Sequence, residues 1–185
     1  FDEILPAWSP DGSAIAFVSK RGPESDRHNN WDIYLTAPVP GAEPRRLTHT
    51  EYAESDPESW GGRPVWNPDS SRLAYTIDRD PSLSYYAQSQ LLSVSVTSGA
   101  VNVLTEHLDR NVMSPLWSAD GENIYALIED EMITYLAAVP AKGGSLTRLS
   151  GTGQTVRSFD ASDTGRIALV FGTTDRPYEV GALES

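Results

Sequence analysis

The sequence predicts an all-β fold, a β-propeller of four-stranded antiparallel blades, and three observations predict it. A tryptophan–turn–strand signature recurs along the chain. A second short signature follows each of its first three copies. No stretch carries the 3.6-residue apolar period of a useful amphipathic helix.

The first signature reads P-A-W-S-P-D-G-S-A-I-A-F-V at residues 6–18, P-V-W-N-P-D-S-S-R-L-A-Y-T at 64–76 and P-L-W-S-A-D-G-E-N-I-Y-A-L at 115–127. A worn fourth copy, S-F-D-A-S-D-T-G-R-I-A-L-V, occupies 158–170. Aligned on Ile15, Leu73, Ile124 and Ile167, the copies stand 58, 51 and 43 residues apart. Each has aspartate four positions earlier: Asp11, Asp69, Asp120 and Asp163. Seven positions earlier stand Trp8, Trp66 and Trp117, and Asp160 breaks the series.

The second signature is R-R-L-T at 45–48, N-V-L-T at 102–105 and T-R-L-S at 147–150. Short apolar runs lie between the two: Asp32-Ile33-Tyr34-Leu35, Leu91-Leu92-Ser93-Val94 and Ile133-Thr134-Tyr135-Leu136-Ala137. Turn sequences such as Pro-Gly-Ala-Glu-Pro and Ala-Lys-Gly-Gly follow these runs. Each unit therefore reads strand, S-P-D-G turn, strand, loop, strand, turn, strand, which is one propeller blade.

Turn chemistry accounts for the recurrence. Proline presets φ, aspartate accepts hydrogen bonds from the amides ahead of it, and glycine takes positive φ where the chain re-enters a strand. Ser70 replaces that glycine in the second copy, and Thr164 holds its register in the fourth. The tryptophans are expected between adjacent blades, where a large aromatic ring buries much area.

The expected blades are 1–49, 60–106, 112–150 and an incomplete 155–185. A closed propeller needs about four to eight blades, so these three and a half read as part of a larger one. Phe1 is not a start methionine and no signal-peptide pattern follows it, which reads as an internal piece.

Composition narrows the function classes. The net charge of −12 and a pI near 4.5, with no basic stripe, argue against nucleic-acid partners. No apolar run approaches the roughly 18 residues that would span a membrane. Without cysteine there is no thiol catalysis, disulfide or cysteine-ligated zinc.

The blade motif A-W-S-P-D-G-x-x-I-A-F, with D-I-Y-L and R-R-L-T, resembles the propellers of the prolyl oligopeptidase family, especially its acylaminoacyl-peptidase and dipeptidyl-peptidase-like branch. It also resembles TolB. Long insertions at 21–30, 50–63 and 79–90, read as rim decorations, favour the peptidase likeness, as do Trp31-Asp32-Ile33-Tyr34-Leu35 and the late Pro177-Tyr178-Glu179-Val180.

The peptidase resemblance implies a non-catalytic propeller that gates short peptide substrates and scaffolds an α/β-hydrolase domain. That domain would lie outside this sequence, which has no G-x-S-x-G elbow to hold a nucleophile. Self-association into a homo-oligomer is allowed for. No cofactor, metal, nucleic acid or membrane partner is expected. The implied compartment is the cytoplasm, or the periplasm under the TolB-like alternative, a binding propeller without enzymatic activity.

No catalytic residue is assigned. His28, His49 and His107 show no metal-ligand spacing, and Glu129-Asp130-Glu131 reads as a solvated hairpin. Facing carboxylates of a glycosidase are not expected from Asp11, Asp69, Asp120 and Asp163, which repeat at one turn position. Aromatic residues and an arginine in the insertions (Trp60, Arg63 and Tyr86) are the candidate contacts for substrate or partner. The alternative for these three is packing of each loop on its own blade.

Overall fold

A computed structural model describes residues 2–21, 25, 27, 30–50, 53–55, 62–78, 80 and 86–183. Among these residues the fold is all-β, with sixteen strands in four antiparallel sheets. The first blade is β1 (Glu3–Trp8), β2 (Ile15–Ser19), β3 (Asp32–Thr36) and β4 (Arg45–Arg46) in that spatial order. The third is β10 (Asn111–Trp117), β11 (Asn123–Asp130), β12 (Ile133–Pro140) and β13 (Thr147–Arg148). The fourth has three strands, β14 (Thr155–Ala161), β15 (Ile167–Thr173) and β16 (Arg176–Leu183). The sheets do not close into a ring, as expected of part of a propeller.

The second blade differs from the sequence reading. It comprises β5 (Ala53–Glu54), β6 (Val65–Trp66), β7 (Arg72–Asp78), β8 (Ser89–Ser95) and β9 (Val101–Val103). Both β5 and β6 pair with β7, at Asp78/Ile77 and at Ala74/Leu73. They are two halves of one first strand, so part of the expected insertion at 50–63, Ala53–Glu54, is itself strand, and the interruption falls between Glu54 and Val65. The site of interruption has a counterpart elsewhere: register shifts between Ile4 and Ala7 in β1 and between Met113 and Leu116 in β10. A bulge already unpairs the ladder there, so extra residues disturb little.

The S-P-D-G turns show why aspartate recurs. Asp11 Oδ1 accepts from Ser9 Oγ at 2.6 Å and from the Ser13 amide at 3.0 Å. Asp69 does the same with Asn67 Nδ2 and the Ser71 amide, and Asp120 with Ser118 Oγ and the Glu122 amide. These bonds hold all three carboxyls below the usual range, Asp11 at about 2.

The fourth turn is one residue shorter than the others. The Ser162 amide bonds Arg166 O, four residues on, where the Ser9 amide bonds Ala14 O, five on. Gly165, at φ +82°, therefore takes the position of Gly12, Ser70 and Gly121, rather than Thr164 as expected. The Thr164 hydroxyl, 3.0 Å from Ser162 Oγ, stands where the other turns have aspartate, and Asp163 falls in the place of Pro10. For the same reason Ala161, not Asp160, pairs with Ile167 as Trp8 pairs with Ile15.

The second signature acts as a clasp. The Leu47 amide donates to Ile33 O at 2.8 Å while the Thr48 hydroxyl accepts from the Ile33 amide at 2.9 Å. Leu104 and Thr105 clasp Leu91 in the same way, and Leu149 and Ser150 clasp Leu136. Leucine fills the core and the hydroxyl completes the buried third strand just past the end of a very short fourth strand.

Blades pack face to face, with alternate residues of each middle strand serving different neighbours. Leu73, Tyr75 and Ile77 join Ala16, Val18, Ile33 and Leu35 of the first blade in one apolar cluster. Ala74, on the other face, joins Val112, Trp117, Ile124 and Ile128 of the third. A third cluster unites Met113, Leu127 and Leu136 with Val156, Ile167 and Leu169.

Trp66 is 9% exposed and its Nε1 donates to Ala7 O at 3.0 Å. Trp117, 6% exposed, donates to Val65 O at 3.1 Å. Each indole thus bonds the residue that precedes the tryptophan of the blade before it. Trp8, with no blade seated on its face in this structure, is 61% exposed.

Replacing Thr105 by valine keeps shape but strands the buried Leu91 amide. In urea unfolding of the intact protein the expected loss is about 1–3 kcal/mol, whereas an unchanged midpoint would remove the clasp from the account.

Candidate functional site

The first strands of neighbouring blades approach one another, β1 with β6 and β6 with β10, and form the inner edge of the array. A cavity of about 260 Å³ opens along this edge. Three segments line it: Gly62 to Val65 at the head of β6, Ser114 to Leu116 in β10, and Arg157 to Asp160 in β14. The residues it gathers sit at first-strand irregularities. Arg63 precedes Pro64 as Ser114, at φ +52°, precedes Pro115. Arg157 is the extra residue where the β14 register shifts between Val156 and Ser158. Bulges turn side chains out of the regular alternation, which is how three blades aim polar groups into one space.

The electrostatics of this cavity are mixed. Arg63 and Arg157 make no ion pair among the described residues, whereas Arg21, Arg46 and Arg110 pair with Glu3, Asp32 and Asp130. The Tyr178 ring lies 5.8 Å from the Arg157 guanidinium. Asp160 accepts from the Ala161 amide at 2.9 Å.

A larger cavity, about 590 Å³, lies toward the outer strands of the second and third blades, between Val103–Leu108 and Gly143–Leu146. His107 and Glu106 line it without forming a metal-ligand cluster, and no group of metal ligands occurs among the described residues.

A second polar centre lies at the seam of the first two blades. Glu54 is fully buried, accepting from the hydroxyls of Thr48 and, at 2.8 Å, Thr50, while its amide donates to Trp31 O. Burial pushes its carboxyl up to about 7 against the pull of those hydroxyls, with Asp32 adding to the rise. Asp32 is itself paired with Arg46 at 2.6 Å. Burial, and then Glu54, push the Tyr75 phenol above its ordinary value.

Of the contacts expected from the sequence, Arg63 lines the inner cavity and Tyr86 stands exposed before β8. Trp60, like His28, Tyr52, Gly61 and Tyr85, lies outside the described residues. Arg157 and Glu54 were missed by the sequence reading. Arg157 sits one residue before the fourth signature, where only a blade-by-blade register shows that it sits at a first-strand bulge. Glu129 and Asp130 belong to β11, and Glu131 with Met132 makes the two-residue turn, both at positive φ.

Glu54 sets a pH dependence. Its folded value lies above the ordinary 4.5, so between these values the folded state binds the extra proton and stability falls as pH rises. Urea unfolding of the intact protein is expected to show a loss of about 2–3 kcal/mol between pH 4.5 and 8, largely abolished in Glu54→Gln. An identical slope in the variant would assign the effect elsewhere.

No family model matches the chain. Over 126 residues it is 34% identical to the uncharacterized peptidase YuxL of Bacillus subtilis, across 66% of this chain and 17% of that protein. Over 139 residues it is 28% identical to dipeptidyl-peptidase 5 of Arthroderma otae, across 72% of this chain and 19% of that one. The chain thus spans under a fifth of the length of these relatives.

In fold it is similar to TolB from Acinetobacter baumannii, with a TM-score of 0.68 and 20% identity over 99% of this chain and 41% of that one. The acylaminoacyl peptidase of Pyrococcus horikoshii gives 0.69 and 18% over 97% and 25%. The propeller domain of the trilobed protease from Pyrococcus furiosus gives 0.69 and 15% over 96% and 48%. At such identities these three structures bear on the fold, and the two sequence relatives are both peptidases. By its blade repeat and this shared sequence, the chain belongs to the β-propellers of the prolyl oligopeptidase family.

Proposed function

We propose that this chain is the non-catalytic, substrate-gating part of a serine peptidase whose α/β-hydrolase domain lies elsewhere in the parent protein. The observation that carries the reading is the sequence shared with two peptidases across several blades, in a chain that spans under a fifth of either. The physical role fits the fold. Blades with apolar residues on both faces make a stiff wall, and a stiff wall excludes folded proteins by shape while it admits short peptides. Rigid blades also give loops and bulges a fixed frame on which to place contacts.

In this reading Arg63, on the inner edge, is a substrate contact. Trp60 and Tyr86 are contacts for peptide or for a partner surface, the hydrolase domain or a second subunit. The cytoplasm is the compartment that goes with this reading of the parent, and the periplasm goes with the TolB-like one. The likeness to TolB rests on fold at 20% identity, and a binding propeller without hydrolytic activity is the alternative that the experiment must separate.

The test is to treat the intact gene product with a fluorophosphonate and map the adduct by mass spectrometry. The expected result is one labelled serine outside residues 1–185, together with cleavage of short peptides and sparing of folded proteins. Absence of any labelled serine overturns the peptidase reading in favour of the binding propeller.

A further inference from the structure

We propose that the cavity between Arg63 and Arg157 is a carboxylate-binding subsite on the inner edge of the propeller. Its ligand is the carboxylate of a peptide, at the C-terminus or on an acidic side chain. The inference rests on the peptidase reading and adds to it a substrate class and the residues that select it.

Three observations carry it. Arg63 and Arg157, from different blades, line one cavity of about 260 Å³, and neither has a carboxylate partner among the described residues. Two arginines that share one cavity favour an anion there, and a carboxylate suits the planar donor fork of each.

Secondly, both arginines stand at first-strand irregularities, with Ser114 at φ +52° between them in blade order. Leu5, before Pro6 in the first blade, takes the same conformation at φ +54°, so the repeat itself imposes this turn and gives the lining residues a fixed frame. The Tyr178 ring beside Arg157 limits the swing of that guanidinium.

Thirdly, Asp160 lines the same cavity and is tied to its own backbone through the Ala161 amide. With Arg63 and Arg157 positive and Asp160 negative, the site has room for one negative charge. That balance favours a carboxylate over a doubly charged phosphate. Val65, Leu116 and Phe159 add apolar surface beside the charges for the neighbouring side chain of a peptide.

The test is calorimetric titration of the intact protein with N-acetyl-tri-D-alanine as the free acid and as its C-terminal amide, the D residues preventing turnover. A third ligand, an amide with an internal D-glutamate, separates an acidic side chain from the C-terminus, and inorganic phosphate serves as the dianion control. The acid is expected to bind about ten-fold more tightly than the amide, and Arg63→Gln and Arg157→Gln are each expected to bring the acid close to the amide. Both substitutions lie at exposed positions, so folding is not at stake.

Equal binding of acid and amide by the unaltered protein overturns the proposal. So does a preference that survives both substitutions, or phosphate binding more tightly than the acid. A protein with a labelled serine but no preference for the acid loses this inference alone. One with an arginine-dependent preference but no labelled serine loses only the peptidase reading.

Discussion

The hydrogen bond from an indole of one blade to a first-strand carbonyl of the blade before it is the constraint on which the other features depend. Trp66 to Ala7 and Trp117 to Val65 are the same contact repeated, one register apart in the array. The bond fixes the height of one blade against the next, and the buried ring fills the wedge between them. With that height set, the alternating faces of the middle strands meet in shared clusters, and every interior blade has apolar neighbours on both sides. At the fourth blade Ala161 stands in the tryptophan position, so that seam is held by the aliphatic cluster around Val156, Ile167 and Leu169 without an indole.

The proposed contacts in this arrangement sit at irregularities rather than in the repeat. The repeat makes the first strands a regular inner edge, and bulges break that regularity, at equivalent places in β1 and β10 and nearer the strand's start in β14. The interruption in the second blade, the strained Ser114 and the extra residue Arg157 all occur there. Blade packing supplies the stiffness that allows such departures, since the buried middle strands on which the bulged strands pair have little freedom to relax. Glu54, next to the interruption, shows the cost of polar chemistry at a seam: it is accommodated by two threonine hydroxyls and tends to stay protonated.

What was legible in the sequence follows from period and spacing. The tryptophan–aspartate signature and the Leu-Thr pairs recur, so blade type and order could be read, and the aspartates found their turn amides at Asp11, Asp69 and Asp120. The fourth copy misled because a turn shorter by one residue keeps its apolar anchor, Ile167, while it shifts everything before it by one place. The first half of the second blade was hidden because Ala53–Glu54 is too short to show alternation and is separated from Val65–Trp66 by an insertion. Arg63 stood out as a charged residue in a loop rich in aromatic side chains. Arg157 did not, since its meeting with Arg63 depends on three blades and no local pattern encodes it.

The most direct test of the account is native-state hydrogen exchange on the intact protein with Trp66→Phe, which keeps the ring but removes the donor to Ala7 O. If the indole bond sets the registry of the blades, exchange should quicken by about ten-fold or more in β1, β2, β6 and β7, while β11, β12 and β15 keep their protection. Unchanged exchange at the first seam, or an equal rise in all four blades, would contradict it.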